Sequence, residues 1–281
     1  VSNDIEELPE ASSQPPLSER LKTPEGKTII KVATVVSVLT VLLLIFCIWW
    51  PLISLPPTMS DTEREVKNTL LIFSIASAPV MALVWGIAYY SLRHWNAGSG
   101  DTPPEDGPAI RDNNRLTIAW VVGSSLLTAF LLIWGLAALT STTTLPTDAK
   151  PLTINVVGQQ WLWSFQYPED GGITSNDLIL PKDRPVIFNV TSTDVIHSFW
   201  IPEMGIKIDA NPRVTTNTLT TPTELGMFNV RCAELCGLNH SYMETTGRVV
   251  NPADFEQWVK DKGGSPGVLV PLDVNKIEPK E

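Results

Sequence analysis

The stretch Arg231–Met243, RCAELCGLNHSYM, sets two cysteines, a histidine and a methionine at C-x3-C-x3-H-x2-M spacing: Cys232, Cys236, His240 and Met243. Glu234 lies between the cysteines. A second histidine, His197, stands upstream in TDVIHSFW. Two soft thiolates, two imidazoles and a thioether suit copper. One copper takes only about three or four such ligands, so the set can instead bridge a pair of copper ions, each capped by one histidine. The cysteines alone also suit a disulfide in an oxidising compartment, and with both histidines they suit zinc. Zinc has no use for Met243, and a disulfide has none for either histidine. The chain has 3 His and 3 Cys, so only His94 and Cys47 fall outside the pattern.

Around this loop the sequence reads as short strands. They are expected at Leu152–Val157, Trp161–Tyr167, Leu178–Leu180, Val186–Thr191, His197–Ile201, Lys207–Ile208, Thr215–Leu219, Gly226–Val230 and Gly247–Val250, separated by Pro, Gly, Asn and Asp. Pro252–Lys262 has helical spacing of Ala253, Phe255, Trp258 and Val259. A metal loop between the last two strands, with one histidine from an earlier strand, is a cupredoxin-like arrangement. It predicts a β-sandwich, antiparallel by composition, over 150–262. A flexible tail is expected over 263–281.

Upstream the chemistry changes. Three apolar stretches, at 29–50, 69–92 and 116–139, are each long enough to cross a hydrocarbon core, which takes ~20 helical residues. Trp49, Trp50, Tyr89, Tyr90 and Trp120 sit near their ends, as a belt at the lipid interface would. No span carries an ionisable residue at its centre, so the spans read as anchors in lipid rather than an ion path. Pro79 predicts a kink in the second. Residues 1–28 are polar and read as a disordered tail. Arg20, Lys22, Lys27 and Lys31 flank span one, and Arg93, Arg111 and Arg115 flank the loop between spans two and three. By the positive-inside rule both are cytoplasmic, which puts the N-terminus inside and the β domain outside a bacterial cytoplasmic membrane. Span one exceeds an ordinary signal h-region and lacks a small-x-small cleavage site, so it reads as retained.

The 281-residue chain carries a formal charge of −10. After Thr140 there are 11 Lys/Arg against 17 Asp/Glu, a net of −6. An acidic outer domain argues against nucleic acid and for a basic partner.

Four segments together resemble cytochrome c oxidase subunit II: the loop RCAELCGLNHSYM, the SFW context of His197, GQQWLWSFQYP against G-x-Q-W-x-W, and GIKIDANP against G-x-K-x-D-x-x-P. The resemblance covers residues 56 to about 260. It implies a membrane-anchored Greek-key cupredoxin domain holding a binuclear copper-A centre. Its two coppers would be bound by His197, Cys232, Cys236 and His240, with Met243 and the Glu234 carbonyl as axial ligands. It further implies that the Glu234 carboxylate turns toward a magnesium or manganese ion shared with catalytic subunit I, and that electrons from cytochrome c, or a cytochrome c domain, enter at Trp161. The resemblance also places Lys207 and Asp209 in a polar network above the haems. Trp163, on the same strand face as Trp161, reads as core. Glu169, Asp170 and Asp194 are expected to steer a basic cytochrome toward Trp161. The implied activity is electron input to an oxidoreductase that reduces oxygen to water in partner subunits and pumps protons.

The chain departs from the family in places. Span one is additional to the usual two. Thr117 stands where a glutamate often guards a proton channel, in RLTIAWVVGS rather than L-E-x-x-W-T-x-x-P. DANPRVTTN lacks P-G-R, and no C-x-x-C-H is present for a fused cytochrome domain. The alternative from a different class is a membrane-tethered copper carrier, which needs neither Trp161 nor Glu234.

Overall fold

The computed structural model describes residues 17–94, 113–145 and 147–269. The first sixteen residues, Arg111 and residues 270–281, all part of the expectations above, lie outside the described residues. The described residues form two compact units, one from 17–50 with 73–94 and 113–117, the other from 51–72 with 118–145 and 147–269.

In the first unit, α1 (Leu17–Arg20) precedes α2 (Pro24–Ser54), which packs along the later turns of α3 (Asp61–His94). Helix therefore begins inside the stretch expected to be disordered. Pro24 explains the start, because its fixed φ and missing N–H suit a first helical turn. Ala78, Ala82 and Tyr90 of α3 are buried, and with Gly86 they form a stripe four residues apart. A Cβ on Gly86 would stand only 2.6 Å from Val36 of α2, so this contact needs glycine. Cys47 lies beside the Ser74 carbonyl at 3.8 Å. Helix α3 continues through Pro79.

The second unit holds α4 (Asn114–Thr143) and the β domain. All three long helices exceed the expected spans by several residues, because polar end residues prolong the hydrogen-bonded turns beyond the apolar cores. The β domain has ten strands. These are β1 (Leu152–Gln159), β2 (Leu162–Tyr167), β3 (Ile173–Ser175), β4 (Leu178–Pro181), β5 (Val186–Ser192), β6 (His197–Ile201), β7 (Ile206–Ala210), β8 (Thr216–Thr220), β9 (Gly226–Cys232) and β10 (Glu244–Val250). Helix α5 (Pro252–Asp261) follows. They form two five-stranded sheets, in the orders β3-β2-β1-β5-β8 and β4-β10-β9-β6-β7. The sheets are mixed, not purely antiparallel: β1 pairs with β5, and β4 with β10, in parallel. Sequence composition does not register strand direction, and a chain that crosses between two sheets can return parallel. Strand β3 was not expected; it is three residues long with no apolar alternation.

Alternating burial along β5 shows the side-chain period of two, with Val186, Phe188 and Val190 inward. Phe165, Phe188 and Phe199 meet between the sheets at centroid separations of 5.3 to 6.3 Å. Residues Met59–Glu63 are also stapled to this domain. The Met59 N–H donates to the Glu203 carbonyl at 2.9 Å, and the Ser60 hydroxyl to that of Met204 at 2.9 Å. Ser60 also accepts from the Glu63 N–H, which caps α3. Gly205, at φ +64°, lets the Glu63 backbone approach where a Cβ would stand 2.8 Å from its Cα. The stretch after α5, expected to be loose, is tied down as far as it is described: Ser265 donates to the Asp170 carbonyl and Gly171 to that of Val268.

Candidate metal centre

Strand β6 starts at His197, and its antiparallel pairing with β9 sets Phe199 opposite Cys232. The Ala233 N–H donates to the Ser198 carbonyl at 2.9 Å, and the Cys232 N–H to that of Met243 at 3.0 Å. These two bonds fold residues 232–243 into a closed loop over the end of β6. His240 opens a single 3-10 turn, His240–Tyr242, on the return to β10.

Close contacts link the donor atoms one to the next. His197 Nδ1 lies 3.8 Å from Cys232 Sγ, which lies 3.7 Å from Cys236 Sγ, which lies 3.6 Å from His240 Nδ1. The Glu234 carbonyl flanks Cys232 at 3.2 Å, and Met243 Sδ flanks Cys236 at 3.8 Å. Ligand atoms of His197, Cys232 and Cys236 all lie within 4.8 Å of one another, a group able to hold a metal ion. His197, Cys236 and Met243 are buried, whereas His240 is half-buried and the Glu234 side chain is exposed. All six expected metal-site residues are thus brought together.

His197 is held from behind. Its Nε2 lies 2.9 Å from Asp194 Oδ1, leaving Nδ1 to face sulfur. Asp194 in turn accepts from the Val195 and Gln160 N–H groups at 2.6 and 2.7 Å. Burial alone would raise the Asp194 carboxyl, but these bonds outweigh it and hold the group below its ordinary range. Burial pulls His197 down, yet Cys232 and Asp194 hold its pKa above the ordinary histidine value. The two thiols split. Burial opposes ionisation of Cys232, but hydrogen bonding with His197 and the Glu234 and Ser198 backbone outweighs it and brings the thiol to about 6. Burial and the neighbouring Cys232 push Cys236 up to about 12. One thiolate therefore suppresses the second, and a cation between the sulfurs would relieve both.

Two expectations change and one holds. Trp161 is not a strand residue: it sits in the β1–β2 turn, half-buried, and its indole N–H donates to the Cys236 carbonyl at 3.2 Å. Trp163, 2 % exposed, is core and stands edge-on to His197. The acids expected to steer a partner are otherwise occupied. Glu169 pairs with Arg184 at 3.2 Å, Asp170 is 4 % exposed, and Asp194 supports His197. Sequence reading missed that support, although an Asp three residues before a candidate ligand histidine was a signal for it. It also missed Gly158, where a Cβ would stand 3.1 Å from the His197 ring.

Residues 173–250, which include every expected metal-site position, match the family model described as cytochrome c oxidase subunit II, periplasmic domain. A probable cytochrome c oxidase subunit 2 of Rickettsia bellii is 29% identical over 234 residues, covering 76% of this chain and 84% of that one. The cytochrome c oxidase subunit 2 of Bacillus subtilis is 31% identical over 223 residues, covering 74% and 62%. Among solved structures, the periplasmic domain of subunit II of cytochrome oxidase from Bradyrhizobium japonicum is 34% identical, with 43% of this chain and 97% of that one covered at a TM-score of 0.40. Over residues 173–250 the chain belongs to the cytochrome c oxidase subunit II family. The relatives are named as subunit 2 of cytochrome c oxidase, so the chain is a subunit of an oxidoreductase. Its three apolar helices and its match to a periplasmic-domain model make it a membrane protein with an outer β domain.

Proposed function

We propose that this chain is the electron-input subunit of a respiratory cytochrome c oxidase. In this reading His197, Cys232, Cys236 and His240, with Met243 and the Glu234 carbonyl as weaker donors, would hold the two coppers of a copper-A centre. The observation that carries it is the donor cluster: two sulfurs in contact, each beside an imidazole nitrogen and one further weak donor. That cluster would supply enough soft and imidazole donors for two copper ions. Copper bound there supplies one-electron exchange with little change of ligand geometry.

The chain's own residues do the rest. Asp194 fixes the His197 tautomer and ring angle, and the two backbone bonds at Cys232 and Ala233 keep the loop shape independent of the metal. The buried Met243 and Cys236 exclude water from one side, while half-buried His240 faces the other. Trp161 spans the distance between the surface and the Cys236 carbonyl, which supports it as the point where electrons from cytochrome c enter. The Glu234 carboxylate is free to meet a magnesium or manganese ion at a boundary with subunit I while its carbonyl faces Cys232. Apolar residues at the loop, Leu235, Leu238 and Tyr242, are 77%, 89% and 79% exposed and suit contact with another protein. Lipid around the three helices, a cytoplasmic N-terminus and a bacterial cytoplasmic membrane complete the reading.

Metal analysis and EPR of the full chain purified in detergent test it. Two coppers per chain with a mixed-valence, multi-line signal are expected. One labile Cu(I) would instead identify the carrier. For the donor site, Trp161→Phe is expected to slow copper reduction by cytochrome c in stopped flow more than it weakens binding; unchanged transfer in a copper-loaded variant would move the point of electron input elsewhere.

A further inference from the structure

We infer that Gln160 is a positioning residue that ties the two ligand-bearing halves of the metal centre to each other. The inference rests on the copper reading above. Gln160 sits in the β1–β2 turn and is not one of the clustered donors. Its backbone N–H donates to Asp194 Oδ2 at 2.7 Å, and the other oxygen of that carboxylate holds His197 Nε2 at 2.9 Å. Its side-chain amide donates to the Cys236 carbonyl at 2.7 Å. One residue therefore reaches the β6 ligand through a carboxylate and the loop ligand through its own peptide group.

The Cys236 carbonyl has two lone pairs, and the Trp161 indole N–H takes the second at 3.2 Å. With both in use, the peptide plane that carries Cys236 is fixed on its outer side. The inner side is fixed by core packing, since Cys236 is 3 % exposed. The sulfur then has little freedom to swing. The loop is shaped for this contact. Gly237, at φ +115°, follows Cys236, and a Cβ there would stand 2.9 Å from the Gln160 amide nitrogen. A side chain at 237 would drive the amide off the carbonyl, so the glycine and the glutamine form one device.

Gln160 is itself exposed. An exposed glutamine with only a packing role tolerates replacement, so an effect on the centre separates positioning from folding. Outer partners that orient metal ligands typically change metal affinity by about 10–100-fold when removed.

The test uses the full chain in detergent, with Gln160→Met, which keeps length and volume but donates nothing, and Gln160→Glu, which sets an acceptor against the carbonyl. In the copper-loaded chain, Gln160→Met is expected to lose copper to a chelator about 10-fold faster and to shift the visible bands and EPR hyperfine pattern, with Gln160→Glu worse. In the copper-free chain, Cys236 is expected to react with a maleimide severalfold faster in both variants, because the loop opens more often. This second measurement does not depend on the metal. A wild-type chain without a two-copper signal sinks the copper reading, while faster Cys236 alkylation in the variants still upholds the tie. Release rates and spectra unchanged in both variants, with Cys236 no more reactive, overturn it.

Discussion

The membrane helices and the β domain bury their residues by opposite rules. In α2 and α4, none of the most apolar stretch is buried within the protein, and even α3 buries only 17% of its own. In the β domain, by contrast, Leu152, Ile154, Phe165, Phe188, Phe199 and Ile201 are all fully buried. Water drives the second arrangement; lipid removes the drive from the first. The helices are therefore specified by composition and a few close contacts. The β domain is specified by alternation, by turns and by polar groups that must find partners. A substitution should be felt in the helices only where two backbones meet, and in the domain wherever a bond or a ligand is lost.

The largest effect belongs to the proposed metal ligands. Cys232→Ser or Cys236→Ser is expected to abolish the two-copper signal, because a serine hydroxyl is a hard, rarely ionised ligand. Met243→Leu is expected to retain copper with an altered reduction potential. EPR and redox titration of the full chain decide both; native spectra in Cys232→Ser would refute the ligand set.

Next comes Gly205, where the β domain meets the first turn of α3. Gly205→Ala places a Cβ 2.8 Å from the Glu63 Cα at a φ of +64°, with both steric and backbone cost. A loss on the order of 2 kcal/mol is expected in chemical unfolding. A loss below the few tenths typical of a surface change would show that the staple yields easily.

How much of this was legible beforehand follows the same division. The spans were readable because hydrocarbon thickness and side-chain hydropathy are local properties. Their mutual contacts were not: the Ala78, Ala82, Gly86 stripe carries no polar signal. In the domain, nine of the ten strands could be placed because half-buried strands alternate. β3 could not, since Ile173–Ser175 has one apolar residue and takes its place by pairing with β2. The donor set was legible because soft ligands at close spacing are rare. The supports were less so. Asp194 looked like a surface acid until the fold brought the Gln160 N–H and the His197 ring to its two oxygens. Asp170 looked the same until the stretch after α5 closed over it. Sequence shows which residues can bind; it does not show which neighbour already occupies them.

In the helical region the close α2–α3 contacts give the sharper test. Cys47 lies against the Ser74 carbonyl, so a Ser74→Cys partner is expected to cross-link with Cys47 under mild oxidation. Gly86→Leu forces a side chain toward Val36 and is expected to reduce that cross-link severalfold while leaving the copper signal unchanged. A cross-link of wild-type yield in Gly86→Leu would mean that α2 is held by something other than the small-residue stripe.

The smallest effect is a pH profile, and it sets the cysteines of the two regions apart. With Cys47→Ala removing the helix thiol, only the loop cysteines of the copper-free chain report. Burial opposes ionisation at both. At Cys232, hydrogen bonding with His197 and the backbone prevails and brings the thiol to about 6, whereas at Cys236 the neighbouring Cys232 adds to burial and pushes it up to about 12. The thiolate is the reactive species. Alkylation of Cys232 should therefore rise with pH through about 6 and level off near neutrality, where its thiolate is already fully formed. Alkylation of Cys236 should still be climbing there, because its thiolate is a small fraction until far more alkaline pH. At neutral pH the first equivalent of iodoacetamide is expected on Cys232, identified by peptide mass. Replacing His197 with alanine removes the ring that lowers the Cys232 thiol, so the plateau should move to higher pH. Two coincident profiles for Cys232 and Cys236 would show that the sulfurs do not share one ionisation, and would take away the electrostatic reason for this pair to receive a cation.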